Sequence, residues 1–143
     1  MNPFGFSLYF NIIIGLNRAT KKGSNQIPMD EINTLASKLE EFASERDWNQ
    51  FHTPKNLVMA LSVEVAELVE EFQWLTAEQS SVLSEESLSR VKDELGDVFN
   101  YLVRIASKLN IDLLQAASEK IEKNALKYPV EKSKGHAKKY NRL

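Results

Sequence analysis

Two pairs of acidic residues lie in stretches of the chain that are otherwise rich in apolar residues. The first pair is Glu64 and Glu67, and the second is Glu94 and Asp97. Residues three apart lie on one face of an α-helix, so each pair places two carboxylates side by side, where like charges repel. Four carboxylates gathered in this way indicate a bound cation. Oxygen-only ligand sets select hard cations, so we expect a site for Mg²⁺, with Mn²⁺ as a substitute.

The acidic residues are open to other interpretations. Surface acids are common on amphipathic helices, but two matched pairs among leucine, valine and phenylalanine are not typical of a solvated face. Di-iron bundles need two Glu-x-x-His motifs, and neither His52 nor His136 follows a glutamate by three residues. Glu70 and Glu71 lie beside the first pair, where either is a candidate for a metal contact through water or for the base that orients water.

A second group of candidate residues is aromatic. Trp48 and His52 lie in the short connection before the second predicted helix, and Trp74 lies near the end of that helix. Indole rings stack on nucleobases in many nucleic-acid-binding proteins, so this group is typical of a base-binding site. The alternative is that both tryptophans cap the apolar core.

A third group combines hydrogen-bond donors near the end of the chain with one tyrosine. Lys120 and Asn124 are four residues apart on one face of the fourth predicted helix, and Tyr101 follows Asp97 by four. Lysine and amide donors beside a metal site suit phosphate oxygens. A lysine stripe is also what an ordinary solvated helix face shows.

Helical periodicity predicts the elements that position these groups. The second helix has the strongest start signal, with Thr53 as N-cap and Pro54 at the first helical position. The fourth helix ends before Pro129, which disfavours helix at the preceding residue. Four helices with short links predict an antiparallel bundle in which the two acidic pairs meet at one height. The predicted helices are about 30–46, 54–75, 85–108 and 113–127.

The bulk properties predict one helical domain with two different ends. The 143 residues divide into an N-terminal arm (1–28), a helical domain (29–129) and a basic tail (130–143). Alternating Phe and Ile in the arm are typical of a short strand or of a segment that packs on a neighbouring subunit. A net charge of −2 gives no sign of polymeric nucleic acid as a partner. The acidic middle and basic end suit a metal and a polyanion.

The composition also bears on location. There is no cysteine, which excludes disulfides and thiolate zinc sites and is compatible with a reducing cytoplasm. The uncharged run 1–17 is too short and too polar for a membrane span, and it lacks the basic start of a signal peptide. We therefore expect a cytoplasmic protein without a membrane partner.

The second and third predicted helices are apolar on more than one face. A single copy of the bundle would leave much of this surface in water, so we expect a homo-oligomer. The apolar residues that lie off the main stripe of the second helix are Val58, Ala60, Val63, Val69 and Leu75.

Together these groups resemble the MazG-like all-α nucleoside triphosphate pyrophosphohydrolases, and among them the dCTP pyrophosphatase-like branch. The resemblance covers about residues 30–140. The motifs that carry it are Glu45-Arg-Asp-Trp-Asn-Gln-Phe-His-Thr-Pro-Lys-Asn56, Glu64-Val-Ala-Glu-Leu-Val-Glu-Glu-Phe-Gln-Trp74, Asp93-Glu-Leu-Gly-Asp-Val-Phe-Asn-Tyr-Leu102 and the run from Lys120 through Asn124 to Lys127-Tyr-Pro129.

The resemblance implies roles for the candidate residues. The implied Mg²⁺ ligands, which are also the catalytic residues, are Glu64, Glu67, Glu94 and Asp97. The implied substrate contacts are Trp48, His52 and Trp74 to the base, and Tyr101, Lys120 and Asn124 to the sugar or phosphates. At the position late in the first helix where relatives often carry a base-contacting histidine, this chain has Leu39. Residues 1–28 have no counterpart in the family pattern.

The resemblance also implies an activity and an assembly. Its members hydrolyse a dNTP to dNMP and pyrophosphate, with dCTP-like substrates favoured here, in the cleaning of nucleotide pools. They form intertwined homo-oligomers with shared sites, so a homotetramer built as a dimer of dimers is expected, with a dimer as the alternative. Two other functions stay open: a non-catalytic nucleotide-binding or regulatory bundle, and a helical interaction module, against which the paired acids argue.

Overall fold

The computed structural model describes residues 29–142, and all regular secondary structure in this range is helical. The predicted all-α fold is therefore confirmed, while the strand-like segment predicted near the start lies outside the described residues. Two short 3₁₀ turns lie at Trp48–Gln50 and Tyr140–Arg142. The α-helices are α1 (Met29–Glu45), α2 (Pro54–Glu70), α3 (Ala77–Ser80), α4 (Glu85–Lys108), α5 (Leu113–Lys127) and α6 (Val130–Ser133).

Side-chain caps fix where α2 and α4 begin. The Thr53 hydroxyl accepts a hydrogen bond from the Asn56 backbone N–H at 3.3 Å, and Pro54 takes the first helical position as predicted. The Ser84 hydroxyl accepts from the Ser87 N–H at 3.1 Å in the same way. Each cap satisfies a backbone donor that has no partner inside its helix.

Helix α2 is shorter than the sequence predicts, because it ends at Glu70 and not near Leu75. The chain then passes through tight turns, in which the Phe72 N–H donates to the Val69 carbonyl and the Leu75 N–H donates to the Phe72 carbonyl, both at 3.0 Å. A capping box follows these turns. The Thr76 hydroxyl accepts from the Gln79 N–H, and the Gln79 side chain accepts from the Thr76 N–H at 2.8 Å. An N-cap residue needs extended backbone, here φ −72° and ψ 167°, so one helix cannot run through it. The predicted polar connection therefore contains the short helix α3.

The described residues form two compact units that divide between Leu113 and Leu114. The first unit contains α1 to α4, and the second contains nearly all of α5 together with α6 and the end of the chain. Within the second unit, the rings of Tyr128 and Tyr140 meet edge to face, with centroids 6.0 Å apart. The domain boundaries at 28 and 129 stay predictions from the sequence.

Helices α2 and α4 run antiparallel and form the main packing pair of the first unit. Just before α2, His52 contacts Arg104 near the end of α4, and just after α2, Glu71 is bound by Arg90 near the start of α4. The start of α2 thus lies beside the end of α4, and the end of α2 lies beside the start of α4. Helix α1 also packs against α4. Residues midway along α2 and α4 consequently face each other at one height.

The buried apolar core of the described residues is small. It consists of Ala43, Leu57, Val91, Val103 and Ala106. Many larger apolar side chains of α2 and α4 are exposed, among them Val58, Met59, Val63, Val65, Val69, Leu95 and Phe99. None of the described helices combines the length and the apolar character that a membrane crossing requires.

Leu57→Ala tests the packing of α2 against its neighbours. Leu57 is 1% exposed, so we expect the substitution to lower the free energy of unfolding by about 2–5 kcal/mol through lost burial and the cavity left behind. Urea denaturation followed by circular dichroism, at one fixed protein concentration, measures this change. Val82→Ala is the matched control, because Val82 is 83% exposed and its truncation should change stability little. Equal losses in both variants would contradict the assignment of the core.

Candidate metal centre and nucleotide site

Three carboxylates meet between α2 and α4. Glu64 of α2 and Glu94 and Asp97 of α4 each offer one oxygen, and these oxygens all lie within 4.8 Å of one another. Glu64 and Glu94 are half-buried, and Asp97 is exposed. The antiparallel pairing of the two helices brings together residues about 30 positions apart in the sequence, as the spacing of the acidic pairs predicts.

The electrostatics of this cluster favour a bound cation. Burial raises the pKa of Glu64, and the charges of Glu67 and Asp97 raise it further. Burial likewise raises the pKa of Glu94, with added repulsion from Glu67, Glu64, Asp97 and Asp93. In addition, Glu94 Oε2 is buried without a hydrogen-bond partner among the described residues. Repelling carboxylates with an unpartnered oxygen and no nitrogen or sulfur donor fit a hard divalent cation.

Glu67 lies next to this cluster without belonging to it. The three clustered oxygens come from Glu64, Glu94 and Asp97, and Glu67 is not one of this group. Its charge nevertheless raises the pKa values of Glu64 and Glu94, so it lies close to both. The structure thus brings together three of the four predicted ligands and places the fourth beside them. The four-ligand set stays a prediction.

Tyr101 lies one helical turn beyond Asp97 on α4 and is half-buried. Burial and the charges of Glu64 and Asp97 raise the pKa of its phenol. The hydroxyl therefore stays protonated at neutral pH and can donate a hydrogen bond beside the carboxylates.

Glu71, a sequence candidate for orienting water, has a different partner. Arg90 Nε lies 2.9 Å and 3.0 Å from the two carboxylate oxygens of Glu71. Arg90 Nη1 also donates a hydrogen bond to Glu86. Since these bonds occupy both oxygens of Glu71, this residue links the end of α2 to the start of α4.

The aromatic residues before α2 form a partly exposed cluster. The Trp48 ring lies edge-on to Phe42 of α1 with centroids 5.8 Å apart, and it lies 6.3 Å from the His52 ring. The Arg46 guanidinium lies over the outer face of Phe42 at 3.7 Å. Trp48 is 44% exposed. An indole braced on one side and open on the other suits a stacking platform for a base.

A polar network that the sequence prediction missed ties this loop to α4. Arg104, only 3% exposed, donates to Glu40 of α1, to Asn49 Oδ1 at 2.9 Å and to His52 Nδ1 at 3.2 Å. Asn49 in turn donates to Glu40 at 2.7 Å and accepts from Lys108 at 3.2 Å. The sequence did carry a signal, since Arg104 is a charged residue between Val103 and Ile105 in an apolar run.

Trp74 lies beyond the opposite end of α2 from Trp48. It is 85% exposed. The 17 residues of α2 make that helix about 25 Å long, and both tryptophans lie outside its ends. Helix α2 therefore separates Trp48 and Trp74 along the chain, and their shared contact with a base stays a prediction.

Lys120 and Asn124 are exposed on α5 and belong to the second compact unit. They lie one turn apart on that helix, as the sequence predicts. Their part in a phosphate site stays a prediction.

Comparison with known proteins gives the family. Residues 59–143 match the MazG-like family. This chain belongs to the MazG-like family. Within it, bovine dCTP pyrophosphatase 1 is 41% identical over 122 residues, which are 84% of this chain and 70% of that protein. Mouse dCTP pyrophosphatase 1 is 45% identical over 105 residues, which are 72% of this chain and 62% of that protein.

A solved structure extends the likeness to the fold. A pyrophosphatase from Archaeoglobus fulgidus superposes with a TM-score of 0.66 at 38% sequence identity, over 69% of this chain and 93% of that one. The acidic cluster of this MazG-like chain thus lies in a fold shared with an archaeal pyrophosphatase. The resemblance drawn from the sequence motifs is confirmed.

Glu94→Gln tests the repulsion within the acidic cluster of this MazG-like protein. A carboxyl whose pKa is raised by folding contributes stability at pH values below its ordinary pKa of 4.5 and loses it as the pH rises through the folded pKa. In chelator-treated buffer at pH 7, we therefore expect Glu94→Gln to unfold at higher urea concentration than the unchanged protein. The difference should shrink as the pH falls towards 4.5.

The control for this measurement is Asp93→Asn. Asp93 neighbours Glu94 but lies outside the cluster of three, and its charge is the last of the causes that raise the pKa of Glu94. Its replacement should give a much smaller gain. If metal-free Glu94→Gln is less stable than the unchanged protein at pH 7, repulsion among the carboxylates does not destabilise the fold.

Proposed function

We propose that this protein is a Mg²⁺-dependent nucleoside triphosphate pyrophosphohydrolase that converts a dNTP to dNMP and pyrophosphate, with dCTP-like substrates favoured. The observation that carries the proposal is the convergence of Glu64, Glu94 and Asp97 between antiparallel helices in a MazG-like chain. The names of its relatives, dCTP pyrophosphatase 1 and a pyrophosphatase, support this reaction class. Such an activity suits the removal of unwanted nucleotides from the cellular pool.

In this proposal Glu64, Glu94 and Asp97 hold the metal, with Glu67 as the fourth carboxylate. When bound, Mg²⁺ supplies positive charge that offsets the triphosphate and favours attack of water on the α-phosphorus. Helix-borne carboxylates keep their relative positions better than loop ligands do, because backbone hydrogen bonds fix the helix on both sides of each residue. The protein thereby presents a preformed acidic pocket to the metal-nucleotide complex.

Two groups beside the cluster have proposed roles in the reaction. Glu67 lies beside the cluster and is exposed, so it is our candidate for accepting a proton from the attacking water. Tyr101 keeps its proton at neutral pH and donates a hydrogen bond to a sugar or phosphate oxygen. Lys120 and Asn124 of α5 offer cationic and amide donors of the kind that phosphate oxygens require.

The base is held by the aromatic cluster before α2 in this proposal. Trp48 stacks on the base and His52 contacts its edge, while Leu39 of α1 stands where relatives often carry histidine. An aliphatic side chain offers no hydrogen bond to the base. Selectivity for cytosine must then come from the remaining polar groups of the loop, which makes a broader choice of pyrimidine substrates the expectation.

The separation of the two tryptophans favours a site built by more than one subunit. Trp48 and Trp74 lie beyond opposite ends of a helix about 25 Å long, which supports a base site between two chains. The exposed apolar residues of α2 and α4 offer the surface for such an assembly. We propose a homotetramer built as a dimer of dimers, with a dimer as the smallest active form.

A product-resolved nucleotide panel tests the reaction. With Mg²⁺, we expect dCTP to give dCMP and pyrophosphate, separated by ion-exchange chromatography, and dATP and dGTP to react more slowly. Asp97→Asn and Glu67→Gln should each lower kcat by at least about 100-fold, since each removes a carboxylate next to the reacting phosphate. The control is again Asp93→Asn, which should keep its turnover. Release of orthophosphate with dNDP, or binding without turnover, would contradict the proposal.

Mixing two variants tests the shared site. Trp48→Ala and Trp74→Ala should each raise KM for dCTP, because base stacking on an indole contributes about 1–3 kcal/mol. When the two variants are unfolded and refolded together, random pairing restores about a quarter of the intact sites in a dimer. Turnover at low substrate concentration should rise accordingly. The control is a mixture of Trp48→Ala with a chain that carries both substitutions, which should show no gain in turnover. If each site uses one chain only, the mixture of the two single variants will also show no gain.

A further inference from the structure

Arg104 is buried, charged and distant from the acidic cluster, so the reaction proposed above gives it no role. It follows Asp97 on α4 by seven residues, which is two helical turns or about 10 Å. Its guanidinium reaches across to the loop that bears the aromatic cluster and bonds there to Asn49 and His52. One helix therefore carries both the metal ligands and the anchor of the base-binding loop.

The contact between Arg104 and His52 fixes the protonation of the imidazole. Arg104 Nη2 lies 3.2 Å from His52 Nδ1. A guanidinium has only hydrogen-bond donors, so Nδ1 has to accept this bond and carries no proton. The single proton of the neutral ring then resides on Nε2. The imidazole consequently offers a donor, and not an acceptor, to whatever lies on its other side.

The charges around His52 point the same way. Arg104 and Lys108 face it from α4, and Glu40 faces it from α1. Burial of the ring and the two cations lower the pKa of His52, and only Glu40 acts in the opposite direction. Glu40 is itself held by Arg104 and Asn49, which lower its own pKa. The imidazole thus stays neutral at physiological pH.

Other bonds hold the loop but do not set the imidazole. The His52 backbone N–H donates to the Trp48 and Asn49 carbonyls at 3.2 Å and 3.3 Å, and Asn56 Nδ2 donates to the Phe51 carbonyl at 2.9 Å. These bonds define the backbone turn. Among the described residues, the hydrogen bond to the His52 ring comes from Arg104.

We propose that Arg104 is a positioning residue for base recognition, which holds His52 in its neutral form with the proton on Nε2 so that His52 donates a hydrogen bond to a carbonyl oxygen of a pyrimidine base. This inference rests on the proposed function for the identity of the ligand. The state of His52 itself does not depend on it. Arg104 touches neither metal nor substrate and acts only through the loop.

The state of His52 is measured directly by two-bond ¹H–¹⁵N correlation NMR on the full chain labelled with ¹⁵N-histidine. The protein has two histidines, so a His136→Gln spectrum assigns both. We expect Nε2 protonated and Nδ1 bare at pH 7, with ring protonation only at pH values below the ordinary 6.5. A proton on Nδ1, or a doubly protonated ring at pH 7, would overturn the proposal without any variant.

Arg104→Met then tests the consequence for substrate. Methionine has a similar length and no charge, and Glu40, which loses the guanidinium, is 51% exposed and can be solvated by water. We expect the pKa of His52 to rise to its ordinary value or above, since the lowering charge of Arg104 is lost and the raising charge of Glu40 remains. KM for dCTP should rise roughly three- to tenfold through loss of an ordered donor, with kcat nearly unchanged because the carboxylates are untouched. Equal losses in kcat and kcat/KM would argue against a positioning role.

Lys108→Met is the matched control. Lys108 lies one turn further along α4 and joins the same network through Asn49, but its bond is not to the His52 ring. The loss of Lys108 should change the pKa of His52 less than the loss of Arg104 does and leave KM for dCTP unchanged. A rise in KM equal to that of Arg104→Met would mean that the positive charge matters and not the hydrogen bond to His52. If the unchanged protein hydrolyses no nucleotide, the proposed function fails, and the NMR measurement still decides the role of Arg104 at His52.

Discussion

The rest of the structure depends on the antiparallel packing of α2 against α4. This packing brings three negatively charged carboxylates together. Glu64 comes from one helix, and Glu94 and Asp97 come from the other, with oxygens within 4.8 Å. The apolar contacts around Leu57 and Val103, both 1% exposed, hold the helices in this register. Repulsion raises the pKa values of Glu64 and Glu94, so the fold stores an unfavourable interaction that a divalent cation relieves. Metal affinity is thus built into the packing of the helices.

The same helix pair extends from the acidic cluster to the loop that we propose to bind the base. Two turns beyond Asp97, Arg104 crosses to the loop and bonds to Asn49 and His52. A buried guanidinium is tolerated here because Glu40 and Asn49 supply acceptors for it, although its Nε has no partner among the described residues. The result is a link between the helix that carries Glu94 and Asp97 and the loop residues proposed to contact the base. Rigid elements of this kind keep a substrate aligned more closely than separate loops do.

In the proposed assembly, one chain offers only part of the nucleotide site, and its exposed apolar surface suits a second subunit. Trp48 and Trp74 lie beyond opposite ends of α2, and Trp74 is almost fully exposed. Large apolar residues along α2 and α4 are also exposed, although the buried core is small. An exposed indole and an exposed apolar helix face are both unfavourable in water, and a second subunit covers both in the assembly that we propose. Stability and substrate binding then depend on the same contact.

The sequence by itself determined the all-α fold, the start of α2 at Pro54 and the acidic pairs, because helical period and capping are local properties. It also placed Trp48 and His52 in the connection before α2. It did not determine the end of α2, since the apolar pattern continues past Glu70, where the structure has turns before the capping box at Thr76. Only the tertiary structure decided that Glu71 pairs with Arg90 and that Arg104 pairs with His52. Those partners are 19 and 52 residues apart, and no local rule selects one charge partner among the many acids and bases of this chain. The packing of α2 on α4 makes that selection, because it brings only certain side chains within hydrogen-bonding distance.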